Sequence, residues 1–190
     1  EIAKKHNAPS TLIGRDWLVR SRKISRRGLE TFCIAPRSIP GEESEFRVPL
    51  PGAHQVENAA VSIAISDQLR KKGWVVDADA ISRGLRQVDW PARCQIFPGE
   101  PPVVIDSAHN KSSAAALVAV LNERFHGNAP VLVFGSMQDK DIDGVLSELL
   151  PVSHKIITTR SVHPRASDPV CLADKVKCQG YDVYIAADLP

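Results

Sequence analysis

This sequence of 190 residues lacks long apolar runs and has few aromatic residues, which make up 5% of the chain. A helix that spans a membrane needs about 20 consecutive apolar residues, and the first residues lack the pattern of a signal peptide. We therefore expect a cytoplasmic protein with no membrane partner. With 43% apolar residues, the chain is long enough for one large domain or two modest ones.

The chain also has little excess charge, since 24 Lys and Arg residues oppose 22 Asp and Glu residues for a net charge of +2. So small an excess does not predict a nucleic-acid partner. One basic cluster lacks interleaved aromatic residues, so a solvated strand face explains it better than a nucleic-acid patch. The cluster consists of Arg20, Arg22, Lys23, Arg26 and Arg27.

Cysteine is rare, and none of the four residues forms a C-x-x-C pair or has a His partner at zinc-finger spacing. Reduced thiols without a structural zinc are therefore expected. Cys171 and Cys178 are seven residues apart, which places both on one face of a helix. We predict that they are buried there as small apolar residues.

Two phosphate-binding motifs are absent as well. No G-x-G-x-x-G follows the apolar run Val103–Ile105, which argues against a nicotinamide cofactor bound in the usual Rossmann manner. No G-x-x-x-x-G-K-[ST] occurs in the chain, so the sequence contains no P-loop for ATP. Because the sequence begins at Glu1 within a continuing pattern, we expect a fragment of a longer protein.

The first part of the chain combines short strands with two helices. Short β-type runs separated by turn residues predict antiparallel strands between Thr11 and Leu50. The helical spacing of apolar residues from Val56 to Ala64 predicts a helix that ends near Gly73. Asp77 is the expected N-cap of a second helix.

From Val103 onward, predicted strands and helices alternate. This alternation is typical of an α/β domain with a parallel sheet and right-handed crossovers, so we predict a Rossmann-like fold. The pair Asp168-Pro169 marks the start of its last helix, with Asp as N-cap and Pro in the first turn. The predicted strands are Val103–Ile105, Val131–Phe134, Lys155–Thr159 and Val183–Ile185.

Ionisable residues follow three of these strands. Loops after parallel strands emerge at the same edge of a sheet, where ligands bind in open α/β folds, so we expect these residues on one rim. The alternative that Asp141 is simply a helix N-cap and Asp139 a turn residue stays open. The residues are Asp106, His109, Ser136, Asp139, Lys140, Asp141, His163 and Arg165.

Asp106 is harder to explain without a ligand. It ends an apolar strand, and a buried carboxylate without donors or a cation is costly. A ribose hydroxyl, an ammonium group or Mg²⁺ would be a suitable partner. His109, taken alone, is more often a structural residue.

Three ordered segments carry a resemblance to a known family: GAHQVENAA at 52–60, WPARCQ at 90–95 and VVIDSAHN at 103–110. In this order and spacing they resemble the second half of the folylpolyglutamate synthase/dihydrofolate synthase family, within the Mur ligase superfamily. The resemblance implies that residues 1–92 form the end of a Mur-ligase-type central ATPase domain. Residues 93–190 would form the Rossmann-like, mostly parallel C-terminal domain that helps to bind glutamate.

The activity that the resemblance implies is ATP-dependent addition of glutamate to folate or dihydropteroate through an acyl phosphate. The cofactors would be ATP and Mg²⁺, with the metal ligands mainly in a part upstream of this sequence. The partners would be ATP, L-glutamate and the folate or dihydropteroate substrate, and we expect a monomer. Without the P-loop, the isolated chain should be inactive.

Carried over by position, the resemblance implies that Asn58, Arg93 and Asp106 bind the nucleotide. Arg93, Asp106 and His109 would be catalytic, with the planar guanidinium of Arg93 on the ATP phosphates. No metal ligand is assigned. The sequence departs from the family at Ala92 and Ser107, where Gly is usual. For Asn58, an ordinary polar residue in the first turns of a helix is the alternative.

Two other interpretations remain open. One is a portion of a UDP-MurNAc-peptide ligase of the same superfamily, although His54-Gln55 and Trp90-Pro91 favour the folate branch as far as the resemblance goes. The other belongs to a different functional class: a Rossmann-like binding domain that has no catalytic activity of its own.

Overall fold

The computed structural model describes residues 2–25, 28–39 and 41–186, and the packing of the backbone forms two units. The first runs up to Ile105 and the second begins at Asp106. The domain boundary predicted after residue 92 stays a prediction. Among the described residues, no helix combines the length and apolar character that a membrane crossing requires.

The first unit contains an antiparallel sheet packed on helices, as the strand pattern predicts. Strand β2 lies between β1 and β3, and Phe32 and Ile34 of β2 pack against the helix residues Val56 and Ala60. The elements are α1 (Ile2–Lys5), β1 (Trp17–Ile24), β2 (Glu30–Pro36), β3 (Ser44–Val48), α2 (Ala53–Lys71), α3 (Ala78–Arg86), β4 (Gln95–Phe97) and β5 (Val103–Ile105).

The ends of α2 and α3 follow from their sequences. Lys72 closes α2, and Gly73 follows with φ of 90°, a left-handed conformation that glycine adopts without a steric cost. Asp77 is the N-cap of α3 and accepts a hydrogen bond from the backbone N–H of Ala80. Both predicted helices are therefore present.

Strand β5 departs from the predicted topology. It pairs antiparallel with β4, with Ile96 opposite Val104, and not with a parallel neighbour within the described part of the chain. Since only residues 98–102 join the two strands, the chain reverses direction, and such short connections link antiparallel strands rather than parallel ones.

The second unit is the alternating α/β part, and its sheet is parallel, as expected. Strand β7 lies between β6 and β8. The apolar core includes Leu146, Ile156 and Leu172. The elements are α4 (Lys111–Phe125), β6 (Val131–Phe134), α5 (Ile142–Leu149), a 3₁₀ turn (Leu150–Val152), β7 (Lys155–Thr158), α6 (Pro169–Cys178) and β8 (Val183–Ile185).

The prediction that Cys171 and Cys178 are buried is wrong, because both side chains are exposed. Helix α6 buries Leu172, Ala173 and Val176 instead, and the two cysteines lie away from this face. Their spacing places them on one side of the helix, but that side faces solvent. Like Cys33, they form no disulfide.

Candidate functional site

The loops after β6 and β7 meet at the carboxyl edge of the parallel sheet. Met137 and Ala166 form an antiparallel bridge. The backbone N–H of Gln138 donates to the Arg165 carbonyl over 3.0 Å, and that of Ser167 donates to the Ser136 carbonyl over 2.8 Å. The structure thus brings the residues after these two strands to one rim.

Asp139 lies between two cations on this rim. Its Oδ2 atom is 3.2 Å from the Lys140 Nζ atom and 3.6 Å from the Arg165 Nη1 atom. The hydrogen bond from Lys140 is the main cause that lowers the pKa of Asp139 below its ordinary value, and the charge of Arg165 adds to it. All three side chains are exposed, so the rim presents both signs of charge to a ligand.

Asp141 is the N-cap of α5, as the alternative interpretation had it. Its Oδ1 atom accepts a hydrogen bond of 3.0 Å from the Gly144 N–H. Its Oδ2 atom accepts one of 3.3 Å from the N–H of Lys111, the first residue of α4. One carboxylate therefore joins the starts of two helices beside the rim.

His163 shapes the loop in which it lies. Its Nδ1 atom accepts a hydrogen bond of 3.1 Å from the Arg165 N–H, and its carbonyl accepts one of 2.9 Å from the Ala166 N–H. The imidazole is exposed. These bonds place Arg165 on the same side of the loop as Asp139.

Asp106 and His109 lie in the segment that leads into α4. The Oδ1 atom of Asp106 accepts a 2.7 Å hydrogen bond from the Ala108 N–H, which supplies a donor for this half-buried carboxylate. The Nδ1 atom of His109 lies 3.0 Å from the Ser107 carbonyl oxygen, which leaves Nε2 at the exposed end of the ring. Asn110 then caps α4 through a reciprocal bond with Ser113.

Arg93 lies in an irregular turn of the first unit. Its guanidinium carbon is 5.6 Å from the centre of the Trp90 ring, within the range of a cation–π contact. The residues on either side have positive φ, 56° for Ala92 and 49° for Cys94. A glycine at position 92 would adopt this conformation more easily, which fits the glycine that the resembled family has there.

Asn58 is exposed on α2, and its Nδ2 atom donates a 3.2 Å hydrogen bond to Oε1 of Gln55. The two residues lie on neighbouring turns of the same helix face. Gln55 is itself buried, so the bond fixes the side chain of Asn58 against the helix surface. This contact fits both a nucleotide ligand and the simpler structural role.

A buried ion pair beneath α2 was not anticipated from the sequence. The guanidinium of Arg22 bonds both carboxylate oxygens of Glu30, with Nε to Oε2 at 2.9 Å and Nη2 to Oε1 at 3.0 Å. Oε1 also accepts a 2.9 Å hydrogen bond from the Gly52 N–H. Arg22 therefore does not belong to a solvated basic face, although Arg20 and Lys23 are exposed as predicted. Arg26 and Arg27 lie outside the described residues.

The sequence did hold a signal for this pair. Glu30 lies within the β-type run from Leu29 to Ala35, and an acidic residue inside such a run needs a cation or donors. The basic cluster on the preceding strand offered that cation.

The described residues do not form a metal site of their own. Within 2–25, 28–39 and 41–186, no group of three or more His, Cys, Asp or Glu side chains is placed to hold an ion. Mg²⁺ takes oxygen ligands in near-octahedral geometry. The described residues therefore do not supply a complete set of ligands for Mg²⁺.

The structure thus gathers Asp139, Lys140, Asp141 and Arg165 at one rim of the second unit. The segment with Asp106 and His109 belongs to the same unit, and Arg93 and Asn58 belong to the first. The assignment of Asn58, Arg93 and Asp106 to nucleotide binding, and of Arg93, Asp106 and His109 to catalysis, stays a prediction.

Comparison with known proteins places these features in context. The family model "Mur ligase, glutamate ligase domain" matches residues 92–190. A probable bifunctional folylpolyglutamate synthase/dihydropteroate synthase of Haloferax volcanii is 38% identical over 132 residues, which are 70% of this chain and 15% of that protein. A dihydrofolate synthase/folylpolyglutamate synthase of Mycobacterium tuberculosis is 34% identical over 139 residues, which are 72% of this chain and 28% of that protein.

A solved structure shares the fold across both units. The folylpolyglutamate synthase of Mycobacterium tuberculosis complexed with ADP superimposes with a TM-score of 0.84 and 30% identity. The match covers 98% of this chain and 41% of that chain. This chain therefore spans less than half the length of the proteins that it matches.

Proposed function

Since the chain belongs to the Mur ligase family, in its folylpolyglutamate synthase branch, we propose that it is part of an ATP-dependent ligase that joins glutamate to a folate substrate. These matches confirm the family resemblance that the segments at 52–60, 90–95 and 103–110 carry. The substrate would be folate or dihydropteroate. We place the reaction in the cytoplasm, in a monomeric enzyme.

The observation that carries this proposal is the mixed charge of the rim at the carboxyl edge of the parallel sheet. Free glutamate has carboxylates and an ammonium group. Lys140 and Arg165 are exposed cations that suit its carboxylates, and Asp139 is an exposed carboxylate that suits its ammonium. Ligands of open α/β sheets bind at this edge.

The reaction would proceed in two steps. The γ-phosphoryl group of ATP passes to a carboxylate of the folate substrate, which gives an acyl phosphate and ADP. The amine of glutamate, having lost one proton, then attacks the acyl carbon, an amide bond forms and phosphate leaves. Positioning and charge neutralisation are the main contributions of the protein to such a phosphoryl transfer.

Each candidate residue has a role in this scheme. Arg93 would leave the Trp90 ring and hold phosphate oxygens with its planar fork, which also helps to keep water from the acyl phosphate. Asn58 and Asp106 would contact the nucleotide. His109 would contact glutamate through its exposed imidazole. We propose ATP and Mg²⁺ as the cofactors, with the ligands of the metal mainly outside this sequence.

The test is glutamate-dependent release of ADP by the full-length protein that contains this chain, with a folate acceptor. Arg93→Ala should lower kcat/KM by about a hundredfold or more, the scale expected for loss of a group that stabilises transition-state charge. Arg86→Ala, an exposed arginine in the last turn of α3, is the matched control and should leave the kinetics unchanged. Normal kinetics in Arg93→Ala would remove Arg93 from the site.

The isolated chain offers a second test. Its 190 residues contain no P-loop sequence, so it should form no folyl-glutamate from ATP, glutamate and folate. Measurable ligase turnover by this chain alone would contradict that expectation.

A further inference from the structure

Glu30 is a fully buried carboxylate that has no part in the scheme above. It lies on β2, at 0% exposure, and its two oxygens bond Arg22 of β1 and the Gly52 N–H that precedes α2. A buried carboxylate is costly unless it is paired and hydrogen-bonded. The bidentate guanidinium and the backbone donor meet this requirement.

The bond to Gly52 lies where α2 has no cap of its own. Gly52 is the N-cap position and has no side chain that could accept a hydrogen bond from the N–H groups of the first turn. Its φ of 110° is left-handed backbone that favours glycine. Glu30 therefore fixes the position and direction from which the chain begins this helix.

The first turns of α2 also hold Asn58, one of the residues assigned to the nucleotide. Gln55 N–H donates to the Gly52 carbonyl over 3.0 Å, and Gln55 in turn accepts the hydrogen bond from the Asn58 side chain over 3.2 Å. An unbroken series of bonds therefore runs from Arg22 through Glu30, Gly52 and Gln55 to Asn58.

We propose that Glu30, held by Arg22, is a positioning residue that fixes the first turns of α2 for nucleotide binding. This rests on the proposed function, because the ligand at Asn58 is the nucleotide of the ligase. Small displacements of positioning groups have large effects on binding, since a supporting residue sets the geometry of the contacting one.

Two measurements on the full-length protein test the proposal: amide hydrogen exchange in residues 53–58 without ligand, and ADP affinity by calorimetry. Glu30→Gln keeps an acceptor for Gly52 but presents an amide to the Arg22 guanidinium. We expect faster exchange in 53–58 and ADP binding weaker by between about tenfold and a hundredfold. Glu45→Gln, an exposed carboxylate on β3, is the matched control and should change neither quantity.

Arg22→Lys keeps the charge but loses the bidentate fork. It should give an intermediate loss of ADP affinity, and it remains informative if Glu30→Gln fails to fold. The proposal would be overturned if hydrogen exchange in 53–58 were unchanged in Arg22→Lys and, provided that it folds, in Glu30→Gln. This outcome does not depend on which ligand the protein binds. Faster exchange with unchanged ADP affinity, which is what a merely structural role gives, would also overturn the proposal. Absence of ADP binding by the wild-type protein would defeat the proposed function first, and the nucleotide role of Glu30 with it.

Discussion

The two units of this chain differ in where their paired charges lie. In the first, a carboxylate is fully buried and bonded to a guanidinium and a backbone N–H, and it supports the start of a helix. In the second, the core cluster is apolar, and Asp139, Lys140 and Arg165 lie exposed at the edge of the sheet. The fold itself supplies the partners of a buried charge. Exposed residues of both signs, by contrast, can exchange their ion-pair partners for the charged groups of a ligand.

The largest expected difference is in the loss of stability when one ion pair is broken in each unit. Arg22→Ala leaves Glu30 buried without this cation and should destabilise the first unit by roughly 3 kcal/mol, the low end for a broken buried pair because Arg22 is partly exposed. Lys175→Ala breaks an exposed pair with Asp143 of 2.8 Å and should cost about 0–1 kcal/mol. Hydrogen exchange in β1–β2 and in α6 measures the two effects. Equal losses of stability in Arg22→Ala and Lys175→Ala would show that the buried carboxylate depends on its partner no more than the exposed one does.

The next comparison concerns a glycine within a helix of each unit. A Cβ atom built on Gly84 of α3 meets nothing within 4 Å, so Gly84→Ala should stabilise the protein by about 0.5–1 kcal/mol through helix propensity. A Cβ on Gly144 of α5 would collide with the Asp141 carboxylate, so Gly144→Ala must displace this N-cap and should not gain stability.

Chemical denaturation of the two single variants measures this difference. In a background of Asp141→Ala, where no cap remains to displace, Gly144→Ala should regain about 1 kcal/mol. A stabilising Gly144→Ala in the wild-type background would show that the cap contributes little.

The smallest effect concerns exposed carboxylates. The hydrogen bond from Arg15 is the main cause that lowers the pKa of Asp16 in the first unit from 3.8 to about 2, and Lys140 lowers the pKa of Asp139 in the second. A depressed carboxylate pKa stabilises the folded state above the unfolded value, and this contribution is lost as the pH falls through the folded value. For Asp16 the loss therefore falls between pH 3.8 and about 2.

Carboxyl NMR titration checks this directly. Arg15→Ala should return the pKa of Asp16 towards 3.8, and Lys140→Ala should raise that of Asp139 only in part, since Arg165 remains beside it. If the pKa of Asp139 did not move, Lys140 would not be its principal partner.

Local patterns were enough to predict most elements of the fold. Asp77, Asp168 and Gly73 mark helix ends because capping depends on residues close in sequence. The partner of β5 could not be read in this way, because an apolar run of three residues predicts a strand but not the direction of its neighbour. The prediction that Cys171 is buried was wrong for a related reason. Spacing along a helix shows which residues share a face but not which face is buried.

The site was predictable to a similar extent. Residues after β6 and β7 meet because the carboxyl ends of parallel strands share an edge, which is a rule of topology. Glu30 was missed because its partners, Arg22 and Gly52, come from separate elements, and only the tertiary fold brings a strand pair and a helix start together. The roles of Arg93, Asp106, His109 and Asn58 in binding and catalysis stay predictions.

The positive φ values on both sides of Arg93 limit how this turn can change over evolution. At Ala92 and Cys94 the main chain tolerates glycine or a compact side chain, whereas Val, Ile or Thr would clash with their own backbone. Branching at Cβ is therefore the first restriction on the substitutions permitted at these positions. A library randomised here should return a narrow, glycine-rich set of survivors, even where no neighbouring atom restricts the space.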